Sequence, residues 1–220
     1  MTCRRPPPEA VATAEDIDDV ARTIAEYALA KYAVRLDPEH NLVGTLLHEP
    51  ASTVAGVLSL VEDDDIQAEL PRLLLGLIRT IVREGRQPDP VTVAARARRL
   101  PRDPNPYARS YDHLVIVRHI AEVYTNLGWP LYTYAYAAQV VEDAYRRDFW
   151  TGCTRLAQMA EEHTDLSELE THAAAVIDRW RAMHHRHHLL ARASTTRTLP
   201  ARTELTAMLS PLNAQPRLLT

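Results

Sequence analysis

The sequence predicts an all-α fold, with a compact helical head followed by a long antiparallel helical hairpin. Three observations predict it. Apolar residues recur at a spacing near 3.6 almost throughout, alternating β-branched runs are nearly absent, and the 220 residues include only six glycines. With 46% apolar and 25% charged residues the composition is that of a folded domain, and the length supports a core without disulfide or metal staples.

Residues 1–13 read as a flexible leader, because "RRPPP" cannot continue a helix. An extra N-terminal helix is expected over 14–36. Thr13 can cap it with Asp16 in the capping-box position, Ile17, Val20, Ala21, Ile24, Ala28 and Leu29 form one face, and "LDP" stops it. The helical head is expected over 37–130. Leu42, Val43, Leu46 and Leu47 make a short helix closed by Pro50, and Val54, Val57, Leu58 and Val61 a second. The acidic "EDDD" at 62–65 is well placed to precede a helix N-terminus, where negative charge is favoured. Pro71 then sits in the first turn of "RLLLGLIRTIVREG", whose apolar residues cover most of its circumference and predict a central helix ending at Gly85. In "RQPDPVTV", Asp89 is the expected N-cap and Pro90 the first helical position, so that Pro88-Asp89-Pro90 forms a rigid corner between two helices. "PRDPNPYARS" at 101–110 reads as a loop, and Tyr111, Leu114, Val115, Val117, Ile120 and Ala121 as a further helix broken by "NLGWP".

The hairpin is expected over 131–184. Tyr136, Val140, Tyr145, Phe149, Leu156 and Met159 lie along its outgoing helix, "HTDLSELE" resets the chain, and Leu166, Leu169, Ala173, Val176, Ile177 and Trp180 mark the return. Two such helices expose more apolar stripe than they can bury against each other, and this invites a partner. Residues 185–220 read as a flexible tail in which Leu205, Met208, Leu209 and Leu212 keep the spacing of a short docking helix.

Several chemistries are excluded or unsupported by the residues present. A phosphate-binding loop of the form G-x-x-x-x-G-K-[ST] is missing, and the only lysine, Lys31, has no such glycines before it. "HEPAS" at 48–52 lacks the second histidine of H-E-x-x-H, and no G-x-S-x-G elbow occurs. No catalytic or cofactor-binding residues are therefore assigned. His184 and His188 stand one helical turn apart, but two ligands are too few for a structural zinc site, and His163 or Cys153 would have to be recruited across the hairpin. The histidines are read instead as a solvated, weakly cationic helix end, and no metal is expected.

A formal charge of −4 gives no global attraction to nucleic acid or anionic membrane, so any basic surface must be regional. The best such cluster is Arg96, Arg98, Arg99, Arg102 and Arg109, with Tyr107 and Tyr111 near it in sequence. Cys3 and Cys153 make poor material for a disulfide framework, which fits a reducing, cytoplasmic setting. The N-terminus has no apolar stretch behind its charges, and no segment approaches the roughly 18 apolar residues needed to cross a bilayer, so neither secretion nor membrane insertion is expected.

Three stretches, in order, resemble the N-terminal domain of DnaB-like replicative helicases. "EHNLVGTLLHEP" is similar to its E-x-x-L-L-G-x-L-L-x-x-P opening, and "DDIQAELPRLLLGLIRTIVREGRQPDPVTV" to its E-D-F, I-F-x-A-I and G-x-x-x-D-x-V-T-V series. "YAAQVVEDAYRRDF" resembles the Y-A-x-x-V-x-E-x-x-x-R-R that begins its helical hairpin, and the match runs from about residue 39 to 183. The resemblance implies a helical head and hairpin that dimerises, builds the collar of a hexameric ring and offers a surface to primase and loader proteins. Departures are Pro71 where the family often has histidine, the missing Gly-Gly before Tyr111, the extra helix at 14–36, and no ATPase domain after the hairpin.

The resulting expectation is a stand-alone, non-catalytic interaction module in DNA replication or mobile-element maintenance. It would self-associate, as a dimer, through Tyr136, Val140, Phe149, Val176 and Trp180, and would contact a helicase, primase or loader, with the tail helix around Leu205 and Leu209 as one docking element. A DNA-binding accessory or regulatory protein using the Arg96–Arg109 cluster is the alternative.

Overall fold

The structure, a computed structural model, describes residues 22–23, 36–100, 112–125 and 129–198. Arg22, Thr23 and Leu36 are helical, and the rest of the expected 14–36 helix lies outside the described residues. From Pro38 onward the order is α1 (Pro38–Leu46), α2 (Ala51–Leu58), a 3-10 turn (Asp63–Asp65), α3 (Glu69–Arg83), α4 (Pro90–Ala97), α5 (His113–Thr125), a second 3-10 turn (Pro130–Tyr132), α6 (Thr133–Glu161) and α7 (Leu166–Thr198). No strand occurs among the described residues.

Burial of apolar side chains explains the arrangement of the head. Leu42, Val43 and Leu46 of α1 meet Leu74, Leu75, Ile78 and Ile81 of α3, with Val54 and Val57 of α2 and Ile116, Ile120 and Val123 of α5 in the same core. Each such side chain contributes about 1.5–3 kcal/mol by leaving water. Remote side chains supply the helix ends that lack a local cap. Ala68 cannot cap α3, so the Glu39 carboxylate of α1 accepts from the backbone N–H groups of Gln67 and Ala68, each at 2.8 Å. Pro50 cannot cap α2, and the Gln87 amide accepts from Ala51 N–H at 2.9 Å while donating to the Glu49 carbonyl at 2.6 Å.

The corner between α3 and α4 follows local chemistry. Gly85 takes the left-handed conformation at φ 71°, and the Arg86 and Gly85 N–H groups close onto the Ile81 and Val82 carbonyls. Asp89 then accepts from the Val91 and Thr92 N–H groups at 2.9 and 3.0 Å, with Pro90 as the first helical residue. These bonds, the Thr92 hydroxyl first among them, hold the Asp89 carboxyl below its usual pKa.

The hairpin tip uses the same closing turn with a different residue. His163 sits at φ 55°, and the Thr164 and His163 N–H groups reach the Met159 and Ala160 carbonyls. A side chain in that conformation costs about 1 kcal/mol that glycine avoids. His163→Gly is therefore expected to raise stability by about 1 kcal/mol, measured as a higher urea midpoint at unchanged slope.

The structure adds to one sequence expectation and corrects another. The "EDDD" segment precedes α3, as expected. It closes into the Asp63–Asp65 turn, in which Glu62 and Asp65 form a reciprocal capping box and Asp65 is buried. The returning hairpin helix does not stop at 184. It continues to Thr198, because Leu190 is fully buried in the core shared with α1 and α3 and Ala191 packs against that core. Ala137, Val140 and Val141 at the start of α6 lie in the same core, so the root of the hairpin is part of the head rather than an appendage to it.

His119 on α5 is buried edge-on to His40, with ring centres 5.1 Å apart. Burial, and secondarily the charge of His40, push its pKa down from 6.5 to about 4. The unfolded chain therefore takes up a proton in this window while the folded chain does not. Stability is expected to fall as pH drops from about 6.5 to about 4 and to show no further loss from this group below that. Urea unfolding across the window should show the slope in the native chain and a shallower one in His119→Phe.

Candidate interaction surface

The hairpin is held to the head by arginines. Arg186 of α7 donates to both carboxylate oxygens of Asp65, at 2.5 and 3.1 Å, and to the Leu60 carbonyl at 3.0 Å. Arg147 of α6 donates to the Asp65 carbonyl at 2.5 Å and stands 3.9 Å from Glu39. Further along, Arg197 donates to the buried Glu49 at 2.8 Å, and the other Glu49 oxygen accepts the Thr133 hydroxyl at 3.0 Å. Two separated clamps thus fix the long α7 along the head.

Beyond the root, α6 and α7 pack closely because Gly152 leaves room. A Cβ there would lie 2.9 Å from the Trp180 ring and 3.0 Å from Val176. Asp148 accepts from the Trp180 indole and from Arg179, both at 2.9 Å, which fixes the ring against Phe149 with centres 4.4 Å apart. On this side a groove of about 550 Å³ is lined by Glu142, Tyr145, Arg146, Phe149, His184 and His187.

The five residues expected to mediate self-association divide accordingly. Val140 lies in the head core and Val176 between the hairpin helices, so neither is available to a second copy. Tyr136 is half-buried against the core and Trp180 is half-buried in the hairpin. Phe149 is 43% exposed and keeps an outward face. The reason is geometric, since an apolar stripe on a hairpin helix serves the partner helix first. Ile177, 42% exposed and one turn from Trp180, and Trp150, 71% exposed, are open apolar groups that sequence reasoning did not select.

The described members of the arginine cluster differ in their surroundings. Arg96 pairs with Glu84 at 2.9 Å, Arg98 donates to His113 at 3.1 Å, and Arg99 is exposed. Arg102 and Arg109 lie outside the described residues, as do Leu205, Met208, Leu209 and Leu212 of the expected docking segment. His184 and His187 face the groove, with His187 3.9 Å from Glu142, while His185 and His188 are not among its lining residues. Among the described residues no three histidine, cysteine or acidic side chains are arranged to hold a metal ion. No described helix is long and apolar enough to cross a membrane.

Neither a protein-family model nor a curated protein matches this sequence. Among solved structures, the crystal structure of the N-terminal domain of DnaB helicase from Mycobacterium tuberculosis is similar, with 21% sequence identity and a TM-score of 0.54. The similarity covers 66% of this chain and 96% of that one. This chain therefore has an all-α fold like that of the DnaB helicase N-terminal domain, with a helical head and a helical hairpin.

Proposed function

We propose that this chain is a non-catalytic contact module in DNA replication or mobile-element maintenance, which self-associates and binds a helicase, primase or loader. The observation that carries the reading is the fold similarity spanning nearly all of the DnaB N-terminal domain. The open apolar side of the hairpin, with Phe149, Ile177 and the groove beside Tyr145, supports it as the self-association surface. The buried acids Asp65 and Glu49 are engaged by arginines that hold the fold together, which suits a role in contacts rather than turnover.

Light scattering at micromolar concentration tests the first half, with a mass of two chains expected and Phe149→Asp/Ile177→Asp reducing it to one. A mass of one chain for the native protein removes self-association. The second half is tested by binding to the replicative helicase, primase and loader of the same cell. If none binds, and the chain instead binds DNA with an affinity that falls steeply with salt, the accessory DNA-binding reading replaces this one.

A further inference from the structure

The two ends of the hairpin carry opposite charge. Residues 161–170, around its tip, include five acids and neither lysine nor arginine, whereas residues 179–188 of α7 include three arginines and four histidines and no acid. Arg186 is engaged by Asp65, but His184 and, from α6, Arg146 open onto the groove beside Tyr145 and Phe149. The Arg146 side chain is 72% exposed and gives two of its N–H groups to Glu142, and a guanidinium has more to donate. At the tip Leu166 is 67% exposed, and the exposed Glu170 lies one turn further along the same face of α7.

These features share one side of the hairpin. Helical spacing puts Phe149, Cys153, Ala157 and Ala160 in one line on α6, and Leu166, Glu170, Ile177 and His184 in one line on α7. The α6 line is bulky beside the groove and small from Cys153 toward the tip. A second hairpin laid parallel on this side would bring groove onto groove, with arginine against arginine and bulky side chains against bulky ones. A two-fold axis across the hairpin instead sets each groove on the tip of the other copy, cation against acid and bulky against small, and the contact is made twice. Roughly 22 Å of helix separate the groove from the level of Leu166, and the midpoint falls beside the exposed Cys153.

We propose that the groove seats the hairpin tip of a second copy, with Leu166 of the partner subunit beside Tyr145 and Phe149, and the partner's Glu170 beside Arg146 and His184. This pairing rests on the self-association proposed above and specifies which parts of the two copies meet. It is tested on the full chain by sedimentation equilibrium. Glu170→Arg and Arg146→Glu are each expected to weaken the dimer about tenfold by opposing like charges, and their combination to return to within about threefold of the native constant. In Cys3→Ser chains a short bismaleimide should link two copies through Cys153. Unchanged helix content and urea midpoints show that the variants are folded. The pairing is overturned if the chain is dimeric but the two charge reversals add without rescue, or if Cys153 stays unlinked, and self-association then stands with a different contact. A native chain with the mass of one copy at every concentration removes the self-association reading itself, and this pairing with it.

Discussion

Arg186→Ala is expected to lower the stability of the fold by about 3–5 kcal/mol, the cost of leaving a buried charge without its partner. Asp65 is only 3% exposed and its carboxylate receives two guanidinium bonds from Arg186, along with the Glu62 N–H at 2.7 Å. Removing the arginine leaves that carboxylate in a site from which water is largely excluded. The same substitution releases the Leu60 carbonyl and one of the two arginines that tie the hairpin to the Asp63–Asp65 turn. Arg181→Ala supplies the contrast. Arg181 pairs with Asp178 at 3.1 Å, but both side chains are about three-quarters exposed, and such a pair is worth at most about 1 kcal/mol. Urea unfolding of the two variants should separate them by several kcal/mol. Equal, small losses would mean that the Asp65 site admits water and that the clamp is weak.

Leu190→Ala should cost about 3 kcal/mol, within the range for a leucine whose removal leaves a cavity in a packed core. The side chain has no exposure and belongs to the same cluster as Leu42, Ile78 and Val140. A loss of this size would establish that α7 beyond residue 184 stabilises the head as well as extending the hairpin. Leu189→Ala, at a neighbouring position outside that cluster, is expected to cost less. A loss below about 1 kcal/mol for Leu190→Ala would instead indicate that the last turns of α7 detach without disturbing the head.

The difference between these two substitutions and the features visible in the sequence lies in the range of the interactions. Gly85, Asp89 and Pro90 act on backbone groups a few residues away, so the corner they build was legible from residue type and order alone. The continuation of α7 was not. His184, His185, His187 and His188 interrupt the apolar pattern, and the contacts that keep the helix in place have partners 121 residues away for Arg186 and 148 for Arg197. Periodicity reports which face of a helix is apolar, but not which neighbour will cover it. For that reason Val140 and Val176 looked available for self-association until the fold placed one in the core and the other against Gly152.

By itself, the sequence determined the all-α class, the helix-breaking corners and the resemblance to a helicase N-terminal domain, because short-range backbone chemistry and apolar spacing are written into neighbouring residues. Only the tertiary structure decided that head and hairpin share one core, that acids of the head hold arginines of the hairpin, and which apolar groups remain open. Those outcomes depend on pairs brought together from distant positions, where burial strengthens an ion pair and removes an apolar face from use.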